Sequence, residues 1–278
     1  MDGRRDPDMD NDDRQIGRIL SSGEVLALLG AAGAALLAAC AVGDSGTGSS
    51  TNTTTPASAP ASPQTAPIGA APDHTNDAVP ACVVSPELTE GPYFVDERLH
   101  RSDIRSDPVN NSVKAGVPLR LTLRVSQVYR GGCTALPGAM VDIWHCDALG
   151  VYSDVEDPGF NTKGQKFLRG YQVTDENGIV AFTTIYPGWY QGRSVHIHFK
   201  VRSGAGSGQH YEFTSQLFFD DALSDQVFAA KPYANKGRRT ERNEDDLIFR
   251  ESGGQLTLVV TSIDEGYTAK FDIGLQLA

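Results

Sequence analysis

His196 and His198 stand two residues apart in the run Ser194-Val-His-Ile-His-Phe-Lys-Val201, whose alternation suits a β-strand. Residues i and i+2 of a strand leave the same face, so both imidazoles can reach one metal ion. Such a pair alone is a moderate signal, because it also serves zinc chemistry and occurs in plain strands. Its neighbourhood adds two phenols. Tyr190 lies in the aromatic and turn-rich segment Tyr186-Pro-Gly-Trp-Tyr190-Gln-Gly-Arg-Ser194, which leads directly into the histidines. Tyr152 follows Gly150-Val, just past another strand pattern. Phenolate is a hard anionic donor that favours Fe(III) over Zn(II) or Cu(I), and imidazole suits either oxidation state of iron. Two phenols and two imidazoles together therefore point to a ferric site.

Three stretches share a pattern: Pro137-Gly-Ala-Met-Val-Asp142-Ile-Trp-His-Cys-Asp-Ala-Leu-Gly150-Val-Tyr152, then Arg169-Gly-Tyr171, then Pro187-Gly-Trp-Tyr190-Gln-Gly-Arg193-Ser-Val-His196-Ile-His198-Phe199. Together they resemble the intradiol ring-cleavage dioxygenases, and within them the protocatechuate 3,4-dioxygenase branch. The match runs from Thr89-Glu-Gly-Pro-Tyr93 to Phe219. The resemblance implies an enzyme with non-haem Fe(III) as cofactor, acting on a small aromatic diol and O2 to give a muconate-type dicarboxylate. It implies Tyr152, Tyr190, His196 and His198 as the metal ligands, with Tyr190 displaced when substrate chelates the metal. Arg193 matches the family arginine that stabilises carbanion character on the ring, and Gln216 the glutamine beside the site.

The chemistry agrees with those roles. A catechol that binds as a dianion must lose two protons, and a departing tyrosinate can take one of them. A fixed guanidinium suits anionic charge developing in a dry cleft. Two rivals remain: a zinc hydrolase built on His196 and His198, and a non-catalytic transthyretin-like or carbohydrate-binding β-sandwich. Only five residues separate Tyr190 from His196, a short loop that should leave the site open to varied or larger catechols. Other residues read as structural. Trp144 is expected in the core or pocket wall, and His145 as a polar residue near the site mouth. Tyr93 is a candidate for the cleft lining, Tyr171 and Tyr186 for packing, and Glu244-Asp-Asp246 for a solvated turn.

The elements that must hold these groups are strands. Alternation marks 118–125, and further strands are read at 139–144, 170–174, 179–185, 194–201, 213–219, 255–263 and 268–273, with Asp175-Glu-Asn-Gly178 as a hairpin turn between the third and fourth of the eight. Eight short strands predict an all-β, antiparallel sandwich with little helix, a short one being expected at Asp221–Ala230. The segment Ser85–Val95, broken by Pro and Gly, reads as an arm packed across the sandwich.

Upstream, fifteen apolar residues from Val25 to Ala39 are too few for a membrane-spanning helix, which needs about twenty. They fit the core of a secretory signal. Leu37-Ala-Ala-Cys40 resembles the lipobox of bacterial lipoproteins, so residues 1–40 are expected to act as signal and lipidation segment. An ordinary cleaved signal or an uncleaved anchor would be the alternative, and both Sec and Tat routes stay open. Residues 41–79, dominated by Gly, Ser, Thr, Pro and Ala, read as a flexible tether. The catalytic domain is then 80–278, exported and either anchored outside the cytoplasmic membrane through lipidated Cys40 or secreted. The helical N-terminal dimerisation domain of catechol 1,2-dioxygenases has no counterpart, which leaves oligomeric state open.

The formal net charge of −11 argues against nucleic acid as a partner. From Pro80 onward 25 acidic residues face 20 basic ones, so the domain itself is only mildly acidic. Cys82, Cys133 and Cys146 allow three single-bridge pairings in an oxidising compartment, and spacing does not choose among them.

Overall fold

The computed structural model describes residues 82–204, 208 and 210–277. The signal, Cys40 and tether expected at 1–79 lie outside the described residues. Eleven strands, two short α-helices and, between the helices, a 3-10 turn at Tyr233–Lys236 follow one another in the described part: β1 (Pro118–Tyr129), β2 (Gly132–Ala135), β3 (Met140–Trp144), β4 (Glu156–Asp157), β5 (Phe160–Asn161), β6 (Arg169–Val173), β7 (Ile179–Ile185), β8 (His196–Arg202), β9 (Glu212–Phe218), α1 (Asp221–Phe228), α2 (Leu247–Glu251), β10 (Val259–Ile263) and β11 (Gly266–Leu275). One sheet runs β10-β11-β1, with β7 and β2 sharing the other edge of the long β1. The second runs β6-β3-β8-β9, antiparallel throughout. The expected all-β sandwich is the observed fold, with one departure from the expected antiparallel order: β1 and β11 run parallel.

Period-2 alternation builds the core. Leu119, Leu121, Leu123 and Val125 of β1 meet Val141 and Ile143 of β3 and Ile197, Phe199 and Val201 of β8 in one buried cluster. Each such side chain contributes about 1.5–3 kcal/mol when fully removed from water. The alternate residues of β8, His196, His198 and Lys200, point away from that core yet are equally buried. The arm ahead of β1 covers them. Leu88 N donates to Thr214 O (3.0 Å), Ser215 Oγ to Pro86 O (2.7 Å) and Gln216 Nε2 to Thr89 O (2.9 Å). Lys200 pairs with Glu90, and Arg202 with Asp96 and Asp142. The expected arm is thus the lid on the outer face of the second sheet, and the chemistry-bearing residues lie beneath it.

Two expectations are corrected. Asp175–Gly178 does turn, with Asp175 Oδ1 accepting from Asn177 N and Ile179 N, but it is not a hairpin. β6 pairs with β3 in one sheet and β7 with β1 in the other, so the turn carries the chain between layers. The strand expected from 255 begins at Val259; Leu256 and Leu258 instead form backbone hydrogen bonds with Phe218. The short helix expected at 221 is α1, capped by the Asp220 side chain on Leu223 N.

Of the three open pairings, the bridge is Cys82–Cys133, leaving Cys146 buried as a free thiol. It spans a sequence separation of 51 and ties the start of the arm to β2. Closing a loop of that length restricts the unfolded chain by about 4 kcal/mol in the chain-entropy picture. Burial pushes the Cys146 thiol up to about 12, which makes it inert.

Candidate active site

The two histidines emerge from β8 as the alternation requires, with Nε2 atoms 3.0 Å apart. Trp144, the cross-strand partner of His198, stacks on its ring at 4.9 Å between centroids and forms the pocket wall expected of it. His196 Nδ1 donates to Ser194 O at 2.7 Å, which leaves the lone pair on Nε2, facing the site. Burial, with the nearby Arg193 guanidinium adding to it, pulls the His196 pKa down to about 3. Burial and the neighbouring His196 hold His198 well below its ordinary value too. Both rings are neutral, the form that binds metal.

The tyrosines reach the same point from two loops. Beyond β3, Asp147 Oδ1 accepts from Leu149 N and Val151 N and folds the chain into a tight turn. Gly150 sits there at φ 80°, and a Cβ on it would stand 2.2 Å from Trp189 O. Gly188, whose Cβ would meet Asp147 O at 2.4 Å, completes the close approach from the other side. Two residues without side chains therefore let the Tyr152 loop press against the Tyr190 loop. Tyr152 Oη lies 3.5 Å and Tyr190 Oη 3.3 Å from His196 Nε2. Two phenolic oxygens and two imidazole nitrogens converge on one spot, so the residues fit a hard trivalent cation.

The tyrosines differ in setting. Tyr152 is 1% exposed and Tyr93 stacks on its ring at 4.5 Å, whereas Tyr190 is only partly buried. Tyr93, the candidate cleft residue, also donates to Asp157 Oδ2 on the β4–β5 hairpin at 2.7 Å. Phe160 of that hairpin packs beside it.

Arg193 and Gln216 are both buried and touch. Arg193 Nη2 donates to Gln216 Oε1, and Gln216 is the cross-strand partner of His198. Sequence reasoning missed two groups around them. Asp246 is no solvated turn: it is buried and pairs with Arg193, because it caps α2 where that helix meets the site. Its position one residue before a short apolar run was a legible cap signal. Arg169 is buried beside Tyr152, its Nε donating to Ser153 O (3.1 Å) and Ser153 Oγ (2.9 Å). Burial lowers its pKa to about 10, with Tyr152 the first influence opposing that fall. The sequence placed it in the Arg169-Gly-Tyr171 motif but gave it no role.

The remaining residues are structural. His145 is not at the site mouth; it is fully buried, donating from Nδ1 to Cys146 O (2.8 Å) and accepting from Thr184 Oγ1 (2.6 Å). Tyr186 packs in the core and meets Ser224 Oγ at 2.8 Å.

Known proteins bear on this geometry. The profile of a family described as Dioxygenase matches residues 89–250, more than half the chain, and extends past α1 to α2. The fold is similar to that of an intradiol ring-cleavage dioxygenase from Tetranychus urticae, with 32% identity over 70% of this chain and 95% of that one, at a TM-score of 0.61. It is also similar to the dioxygenase domain of a dioxygenase–carbohydrate-binding protein fusion from the cellulolytic bacterium Streptomyces sp. SirexAA-E. There the identity is 27% over 70% of this chain and 100% of that domain, at a TM-score of 0.51. A sandwich with two tyrosines and two histidines converging on its outer face thus matches that family across nearly the whole described region, and the chain belongs to the intradiol ring-cleavage dioxygenases.

Proposed function

We propose that the protein is a non-haem Fe(III) enzyme that converts a catechol-type diol and O2 into a muconate-type dicarboxylate. The observation that carries this reading is the convergence of Tyr152, Tyr190, His196 and His198 on one buried point. Those four side chains would hold the ferric ion, whose Lewis acidity would draw electron density from a chelated ring and ready it for O2. The protein's own groups do the rest. Tyr190 Oη, on the partly exposed loop, takes a phenolic proton as the diol binds. Arg193, fixed and permanently charged, faces the anionic charge that develops on the ring. Gln216 holds that arginine from below and ties it to Thr89 of the arm. The arm and the β4–β5 hairpin, through Tyr93 and Phe160, keep water from the ring. Both oxygen atoms enter the product, the bond between the two hydroxylated carbons breaks, and two carboxylates form.

The short Tyr190–His196 loop supports an open cleft and larger catechols as substrates. The test is oxygen uptake with product analysis across catechol, protocatechuate, hydroxyquinol and bulkier lignin-like catechols. One O2 consumed per ring and a ring-opened dicarboxylate are expected, with activity retained on the bulky members. Activity on catechol alone contradicts the open cleft, and no uptake with any of them contradicts ring cleavage.

Export fits the same reading, and a disulfide is at home in an oxidising compartment. We place the enzyme outside the cytoplasmic membrane, anchored through lipidated Cys40. Labelled fatty acid fed to the expressing cells should mark the wild type and leave Cys40→Ser unmarked; an unmarked wild type would contradict lipidation.

A further inference from the structure

Asp246 is 3% exposed and stands 53 residues beyond Arg193 in the chain. Its two oxygens divide their work. Oδ1 accepts from Ile248 N (2.8 Å) and Phe249 N (3.3 Å), which caps α2. Oδ2 accepts from Arg193 Nε (3.1 Å), Ser194 N (2.9 Å) and Ser194 Oγ (2.7 Å). A cap needs one side-chain oxygen, and serine serves as well as aspartate. Three donors gathered on the second oxygen therefore serve something other than the helix.

Those donors lead to the site by two short routes. Arg193 continues from Nη2 to Gln216, the neighbour of His198 across the sheet. Ser194, held at its amide and its hydroxyl, presents the carbonyl that receives His196 Nδ1 at 2.7 Å. One carboxylate oxygen thus pins the end of the Tyr190–His196 loop at both its cation and its peptide. Burial works against ionisation of Asp246, but Arg193 and the two Ser194 donors outweigh it and keep the carboxyl below its ordinary range. A buried guanidinium is also costly without such a partner.

We infer that Asp246 is a positioning residue for ring cleavage: it aims Arg193 at the bound ring and, through Ser194, sets the orientation of the His196 imidazole. The inference rests on the roles given above to Arg193 and His196. Asp246 acts through these two neighbours, at one remove from the reacting atoms.

Asp246→Ser tests it, because serine keeps the cap and deletes Oδ2. The variant should fold and retain iron, while kcat falls by about ten- to a hundredfold, as for partners of this kind elsewhere. In an Arg193→Gln background most of that loss should vanish, since the two residues act as a unit. Asp246→Asn, which keeps the shape and the cap but turns an NH2 toward the three donors, should lose a similar factor and serves if the serine variant does not accumulate. A readout independent of iron is the Arg193 Nε–H resonance of metal-free protein. It should exchange slowly in the wild type and become fast-exchanging in Asp246→Ser. Wild-type kcat in both variants, equal losses in both Arg193 backgrounds, or an unchanged Nε–H signal would each overturn the inference. Wild-type protein inert toward every catechol would overturn the ring-cleavage reading itself, an outcome the Asp246 comparison cannot produce.

Discussion

His196→Ala is expected to purify without iron and to cleave no catechol, while keeping the thermal stability of metal-free wild-type protein. The imidazole lies on the outer face of β8, whereas Ile197, Phe199 and Val201 on the inner face make the sandwich core. Removing it should therefore spare the core. It deletes the nitrogen that the other three donors surround, at 3.0 to 3.5 Å. Groups one contact further out already cost ten- to a hundredfold in metal affinity when removed, so a ligand should cost more than about a hundredfold. Ferric iron should raise the melting temperature of the wild type, because a ligand that binds only the folded state stabilises it, and should leave the variant unmoved. Calorimetry with metal analysis checks both halves. A variant that binds iron with wild-type stoichiometry and is stabilised by it would remove His196 from the ligand set.

Tyr190→Phe should behave differently: iron retained, turnover lowered by about a hundred- to ten-thousandfold. The phenyl ring can keep its edge-on contacts with Tyr152 and His196, at 5.7 Å between centroids in each case, so the loop should hold its shape. What disappears is the oxygen that takes a proton from the incoming diol, and a positioned base contributes on that scale. Tyr152→Phe is the natural comparison. Tyr152 is buried under Tyr93 and beside the Arg169 guanidinium, so its phenolate is the better candidate for a permanent ligand. Its loss should cost iron as well as turnover. Single-turnover mixing with a catechol, together with metal analysis of both variants, separates the cases. Equal iron loss in the two would deny Tyr190 its role as the displaceable ligand.

Much of this was legible in the sequence, for reasons that also mark the limits. β3 and β9 are buried on both faces, whereas β1 and β7 alternate cleanly and β8 alternates histidine and lysine against isoleucine, phenylalanine and valine, so the core face of these last strands could be read. That the polar face of β8 is buried could not, because the covering arm has no periodicity of its own. The Asp175–Gly178 turn misled because turn chemistry is local, whereas the choice between pairing β6 with β7 and sending them to different sheets is made by the core. The four proposed ligands stand out in the sequence because they fall into two compact motifs. Asp246 does not. An acidic triplet looks like solvated surface, and the Arg193 contact that buries its last member crosses 53 residues of chain. Cysteine spacing likewise left three pairings, and only the folded chain brings Cys82 to Cys133 in β2.

The central claim is that two phenolates and two neutral imidazoles hold ferric iron where a catechol can reach it. The visible spectrum of the purified, iron-loaded protein tests this most directly, before and after a catechol is added without oxygen. The account predicts a burgundy to red protein, coloured by tyrosinate-to-iron charge transfer, with a band that shifts when catechol binds and Tyr190 departs. It predicts that the colour is lost in Tyr152→Phe and His196→Ala. A colourless protein that fills with zinc, or a colour indifferent to both substitutions, would contradict it.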